Sequence, residues 1–232
     1  MAPMATHVIT GAGSGIGAAV ARRLHERGDE LVLVARDLKR AKELAEQYPG
    51  ARTLVADLAD PDRISWALGK QAQPEQVDTL LHIAGIVDLG PIGELRPRTW
   101  HQQLNVNLIA PAELTRLFLP QIRAVRGQVL FVNSGAGLNA HAEWGAYAAA
   151  KHGLKALADS LRHEEKPNGI RVTSVYPGRT AGPMQAKVHS QEGKEYDASR
   201  WIDPESVATT ILTALDLPRD AEINDLTVRP GR

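Results

Sequence analysis

Two side chains able to trade a proton stand four residues apart in Tyr147-Ala148-Ala149-Ala150-Lys151. Positions four apart share a helix face, and the alanines between them leave room for a flat ligand. An ammonium beside a phenol favours the phenolate, so the spacing predicts that Lys151 lowers the pKa of Tyr147 from its ordinary value of about 10. The phenol would then work as a proton donor or acceptor near neutrality. Y-x-x-x-K alone also describes many surface helix pairs. Ser134 adds weight, because it closes the apolar run Gln128–Asn133, where its hydroxyl can hydrogen-bond a carbonyl or alkoxide oxygen beside the phenol. Asn107 is the fourth candidate. Pro111, four residues on, has no N–H for the Asn107 carbonyl, so that oxygen is free to hold a water near Lys151, or the proline merely bends a packed helix.

A second group is built for an anion rather than a proton. His7–Thr10 runs straight into Thr10-Gly11-Ala12-Gly13-Ser14-Gly15-Ile16-Gly17, after which a helical pattern begins. Without side chains at Gly11, Gly15 and Gly17, backbone can approach a pyrophosphate, and the helix start offers free N–H groups and its positive dipole end. Ile16 stands where G-x-G-x-x-G would place its third glycine, and no Lys-Ser or Lys-Thr pair closes a Walker loop. The alternative is a tight turn that binds nothing. At the end of the second strand, Val34-Ala35-Arg36, a guanidinium fork suits a 2′-phosphate, which favours NADP(H). Asp37 follows, and one residue of slippage would put a carboxylate on the ribose, so NAD(H) is the alternative.

The elements that must position these groups alternate along the chain. Strand-like runs fall at His7–Thr10, Glu30–Ala35, Thr53–Ala56, Thr79–Ile83, Gln128–Asn133, Arg171–Tyr176 and Leu226–Val228. Helical patterns lie between them at Ile16–Gly28, Leu38–Gln47, Asp60–Gln71, Thr99–Arg123 and Trp144–Glu165. Apolar runs such as Leu31-Val32-Leu33-Val34 read as strands buried on both faces. Such alternation predicts an α/β fold with parallel strands, right-handed crossovers and helices on both sheet faces, with ligands at the carboxyl ends of the strands.

With Thr10–Gly17, Asn107, Ser134, Tyr147 and Lys151 in view, the chain resembles the short-chain dehydrogenase/reductase family. The family's T-G-x-x-x-G-x-G, its interval of thirteen from serine to tyrosine and its Y-x-x-x-K are all present. The resemblance implies a Rossmann-type doubly wound, mostly parallel seven-stranded sheet, NAD(P) binding, carbonyl–alcohol chemistry and a homodimer or homotetramer. By the same resemblance, Asp57-Leu58 would meet the adenine, Ala84 and Gly85 the adenosine ribose, and Pro177-Gly178 the nicotinamide, with Thr180 on its carboxamide. Two positions depart from the pattern: N-N-A-G appears as His82-Ile83-Ala84-Gly85, and Gly182 replaces the usual threonine. A non-catalytic NAD(P)-sensing protein on the same scaffold is the rival reading, and the intact four-residue set counts against it. An epimerase or dehydratase would need a longer substrate region, and no G-x-S-x-G elbow supports a hydrolase.

The whole chain, residues 1–232, reads as one domain, with a polar substrate lid at about 183–201 and pocket walls from Leu138, His141, Trp144 and Trp201. Equal numbers of basic and acidic residues, 27 each, argue against a nucleic-acid or anionic-membrane partner and leave a small molecule as the expected one. The absence of cysteine excludes disulfides, thiolate metal sites and a cysteine nucleophile. Eight histidines without an H-x-x-x-H pair predict no metal site. No long apolar run and no basic-then-apolar start is visible, so the cytoplasm is the default location.

Overall fold

The apolar runs become a sheet because alternate residues feed two separate cores. In the computed structural model, which describes residues 4–231, seven strands lie in the order β3-β2-β1-β4-β5-β6-β7, every pair parallel. They are β1 (Thr6–Thr10), β2 (Glu30–Ala35), β3 (Arg52–Val55), β4 (Thr79–His82), β5 (Gln128–Val132), β6 (Arg171–Pro177) and β7 (Asp225–Val228). On one face Val8, Val32, Leu80 and Phe131 pack under α5 (Ala110–Ala124) and α6 (Gly145–Glu165), through Leu114, Phe118 and Leu154. On the other, Ile9, Leu33, Leu81 and Leu130 meet α1 (Gly15–Glu26) and α8 (Pro204–Leu215), through Val20, Leu24 and Ile211. The remaining helices are α2 (Leu38–Gln47), α3 (Ile64–Leu68), α4 (Pro97–Leu104) and α7 (Pro183–Gln191). This is the doubly wound Rossmann-type arrangement. Strand order reverses between β1 and β4, which opens a crevice at their carboxyl ends.

Three segments differ from the pattern reading, each for a local reason. The helix expected over Asp60–Gln71 shrinks to a 3-10 turn at Pro61–Arg63 and the short α3. Gln71 leaves the helix because its carboxamide pairs with the end of the edge strand, accepting from the Val55 N–H at 2.8 Å and donating to the Val55 carbonyl at 2.9 Å. The expected Thr99–Arg123 helix is divided: between α4 and α5, Asn105–Ile109 winds as a π-helix, in which the Ala110 N–H reaches back five residues to the Asn105 carbonyl. Pro111 brings no N–H to the next rung, and the wide turn absorbs the gap without a break. The polar lid segment, given no element in the pattern reading, forms α7 and a turn at Ala198–Arg200.

Candidate active site

The crevice holds a cavity of about 880 Å³, bounded by the glycine turn at one end and α7 at the other. Gly11 makes the turn possible: its φ is +77°, and a Cβ there would stand 2.7 Å from the Ala84 nitrogen. Gly17 lets α1 sit against the turn, since its Cβ would fall 2.0 Å from the Gly11 carbonyl oxygen. The Ser14 side chain makes no capping bond to α1, so the first helical N–H groups remain for a ligand. Gly15 faces open space on the cavity wall. Backbone donors, a helix dipole and a cradle free of side chains together suit the pyrophosphate of a dinucleotide.

Gly11, Ser14, Gly15, Ile16, Gly17 and Arg36 line this end. The Arg36 side chain is 77% exposed and bonds Asp37 through Nε–Oδ2 at 2.9 Å, which leaves most of its fork for an incoming anion. Asp37 is committed elsewhere: it caps α2 by accepting from the Arg40 N–H at 2.8 Å. That bond first, and Arg36 second, hold its carboxyl below the usual range. Arg40 also donates to the Gly13 carbonyl at 2.8 Å, bracing the glycine turn from outside.

At the reacting end, Ser134, Tyr147 and Lys151 share the wall with Ala84, Gly85, Pro177, Gly178 and Thr180. Ser134 caps a short turn, accepting from the Ala136 N–H at 3.1 Å, while its O–H faces the Tyr147 phenol. The Tyr147 ring meets Trp144 edge-on, with centroids 5.7 Å apart. Lys151 is 3% exposed, and its Nζ donates to the Val132 carbonyl at 3.0 Å. Burial pulls the ammonium down to about 8. Burial also pushes the phenol up to about 12, with the Ser134 hydroxyl pulling the other way. The expected lowering of the Tyr147 pKa by Lys151 is therefore reversed. The ammonium lies 5.8 Å from the centroid of the phenol ring and spends its bond on Val132, so desolvation wins.

Four expected site residues stand off the cavity wall. Thr10 lies behind it and accepts the Ile83 and Ala84 N–H groups, both at 3.1 Å, which ties the end of β4 to the glycine turn. Asn107 is 1% exposed; its carboxamide accepts from the Ile86 N–H at 3.0 Å and donates to the Ile86 carbonyl at 2.9 Å. Its Oδ1 and the Lys151 Nζ would stand 3.0 and 3.8 Å from a Cβ on Gly85, so asparagine and lysine flank one residue. Asp57 turns into its own loop to accept from the Ala59 N–H at 2.9 Å, and Leu58 packs on the α5 side of the core. Of the proposed pocket walls, His141 and Trp144 line the cavity, whereas Leu138 and Trp201 do not.

The short chain dehydrogenase family model matches residues 5–193. This chain belongs to that family. An uncharacterised short-chain type dehydrogenase/reductase of Sinorhizobium fredii is 32% identical over 228 residues, covering 96% of this chain and 90% of its own. A metagenomic short-chain oxidoreductase solved in complex with NADP superposes with a TM-score of 0.80 at 31% identity, over 98% of each chain. A short-chain dehydrogenase from Streptomyces avermitilis gives 0.84 at 28% identity, over 98% of this chain and 89% of that one.

Both departures from the family pattern have a structural basis in this short-chain dehydrogenase. His82 replaces an asparagine by bonding Thr115 on α5 through Nε2 at 2.9 Å and stacking on Phe131, with centroids 4.9 Å apart. Burial drives its pKa down to about 3, so the imidazole is neutral. Gly182 starts α7 at φ +145°, which a threonine adopts only with strain, and its N–H donates to the Tyr196 hydroxyl at 2.8 Å.

Sequence reasoning missed Arg179 and Arg229 on the cavity wall, whereas Gln185 and Glu192 come from the segment expected as the lid. Arg179 and Glu192 form a two-pronged ion pair, Nη1–Oε2 2.9 Å plus a second bond between Nη2 and Oε1. The one available signal was Arg179 directly after Pro177-Gly178.

Proposed function

We propose that this protein is an oxidoreductase that moves a hydride between NADP(H) and a carbonyl or alcohol substrate. One observation carries the reading: the glycine cradle, Arg36 and the Ser134–Tyr147–Lys151 set open onto a single cavity. The neighbour bound to NADP has the same fold over nearly its full length. Arg36 would hold the 2′-phosphate, the start of α1 the pyrophosphate, and Thr180 with Pro177-Gly178 the nicotinamide end. Bound there, the nicotinamide supplies or accepts the hydride.

The chain's own residues supply the rest. Ser134 and Tyr147 donate hydrogen bonds to the substrate oxygen, and their strength rises as negative charge develops on it. Tyr147 passes its proton to that oxygen in the reduction direction and recovers it in the oxidation direction. A phenol held near 12 in the free protein is a stable proton store, suited to donation once an alkoxide forms. Lys151, beside Gly85 and Asn107, would bond the nicotinamide ribose, with its ammonium 5.8 Å from the centre of the phenol ring. Asn107 acts as a positioning residue: its carboxamide clamps the Ile86 backbone beside Lys151, where a water can relay protons. As in the family, the working unit is a homodimer or homotetramer, which light scattering on a sizing column would report.

The test is Tyr147→Phe. NADPH binding, followed by fluorescence titration, should persist, while reduction of a panel of ketones and aldehydes falls at least 1,000-fold, the upper part of the range for a proton-transfer group. Undiminished turnover would remove the phenol from the chemistry and sink the reading.

A further inference from the structure

The reacting end of the cavity carries charge that the proton-transfer set leaves unused. Around the whole cavity the lining cations are Arg36, at the glycine end, with Lys151, Arg179 and Arg229, against one carboxylate, Glu192. Three of the four are committed. Arg36 bonds Asp37, Lys151 donates to the Val132 carbonyl, and Arg179 holds Glu192, which Lys194 also meets at 3.1 Å. Arg229 differs: among the described residues no carboxylate pairs with it.

Its position is nevertheless fixed by the backbone around it. On one side the Gly178 N–H donates to the Val228 carbonyl at 2.7 Å. On the other, Pro230 Cδ would stand 3.1 Å from a Cβ on Gly178. Val228 and Pro230 thus fasten the chain to the Pro177-Gly178 turn on both sides of Arg229. From there Nη1 reaches over the residue after Ser134: a Cβ on Gly135 would be 2.7 Å from it. A guanidinium fork is thus held over Gly135, next in sequence to Ser134, and Val87, Trp144 and Val188 add apolar surface to the same cavity.

We propose that Arg229 recognises the carboxylate of an oxo acid, or of the matching hydroxy acid, whose carbonyl oxygen lies between Ser134 and Tyr147. This deepens the oxidoreductase reading and rests on it. Guanidinium and carboxylate match as two parallel hydrogen bonds, which fixes the distance from the acid group to the reacting carbon as well as adding affinity. The chemistry balances without a further reactant. The carbonyl carbon takes the hydride, its oxygen takes the Tyr147 proton, and the carboxylate leaves unchanged.

The experiment uses NADPH with pyruvate, acetoacetate and levulinate, each beside its methyl ester, on the wild type, Arg229→Gln, Arg229→Lys and Tyr147→Phe. At least one acid should exceed its own ester tenfold or more in kcat/KM. In Arg229→Gln that acid should lose about 10–100-fold, mainly through KM, as expected for a hydrogen-bonded charge. The ester should change less than twofold, NADPH affinity should hold, and Arg229→Lys should recover part of the loss. The proposal is overturned if the ester is preferred, if acid and ester fall together in Arg229→Gln, or if NADPH affinity falls with them. Tyr147-dependent reduction of esters with no acid accepted removes this proposal alone. No turnover of any compound removes the oxidoreductase reading as well.

Discussion

At the glycine end of the cavity the wall is mostly main chain. Gly11, Gly15 and Gly17 bring backbone to the surface, Thr10 pins it from behind, and Arg40 braces it from outside. At the α7 end the wall and the contacts behind it are held by side chains. Arg179 meets Glu192, Lys187 meets Asp88 at 2.9 Å, and the α7 helix starts on a glycine whose N–H is held by Tyr196. A wall of backbone recognises what every member of a cofactor class shares, whereas a wall of side-chain pairs can be rewritten one pair at a time. The same contrast separates what was legible from what was not.

The largest effect should come from the backbone wall. Gly17→Ala adds one carbon at a point 2.0 Å from the Gly11 oxygen, and neither atom can rotate away. Overpacking of this kind costs about 1–3 kcal/mol. Because the displaced atoms form the cradle itself, NADPH affinity by titration should fall at least 100-fold while the fold survives by circular dichroism. Affinity near the wild-type value would mean the turn is looser than its geometry implies.

Next comes the contact at the glycine end that a side chain, rather than backbone, would make. Arg36→Ala should lower the preference for NADPH over NADH about 10–100-fold, the range for a hydrogen-bonded charge. The ratio of the two kcat/KM values measures it. An unchanged ratio would mean that Arg36 plays no part in selecting the phosphate.

The smallest effect belongs to the substrate end. Glu192→Gln removes a partly exposed pair, so KM should rise about two- to fivefold, consistent with at most about 1 kcal/mol. Arg179, and then Lys194, hold the Glu192 carboxyl below its ordinary 4.5. A carboxyl depressed in the folded state stabilises the protein fully above the unfolded pKa, and that contribution is lost as pH falls through the folded one. The Tm gap between wild type and variant should therefore be widest at neutral pH and narrow as the pH falls below 4.5. A gap independent of pH would leave the ion pair without an energetic role.

Thr10–Gly17 and Tyr147–Lys151 could be read from the sequence because local spacing is sufficient there: a turn needs its glycines, and a helix brings residues four apart together. The strands were legible because Leu31–Val34 and Val129–Val132 are continuous apolar runs. The π-helical segment was not, since Pro111 announces a missing N–H but not how the helix will absorb it. Arg229 was invisible because nothing near it in sequence signals that Gly178 and Gly135 will be its neighbours. The phenol pKa was misjudged for a related reason. Spacing places an ammonium near a ring, but it does not reveal that Val132 takes the ammonium's bond or that burial outweighs the charge.

Asp88 is gripped twice. From within, the Gln103 carboxamide accepts its N–H at 3.1 Å and donates to its carbonyl at 2.9 Å, one helical turn before Asn107 does the same for Ile86. From without, Lys187 and Gln191 of α7 reach its carboxylate at 2.9 and 2.7 Å. The inner grip is buried and neutral, the outer one exposed and largely ionic. If α7 swings outward to admit a ligand, it uncouples at the carboxylate, while the strip from Ile86 to Asp88 keeps its seat. Traffic through the doorway would thereby leave undisturbed the strip on which the proposed proton relay rests.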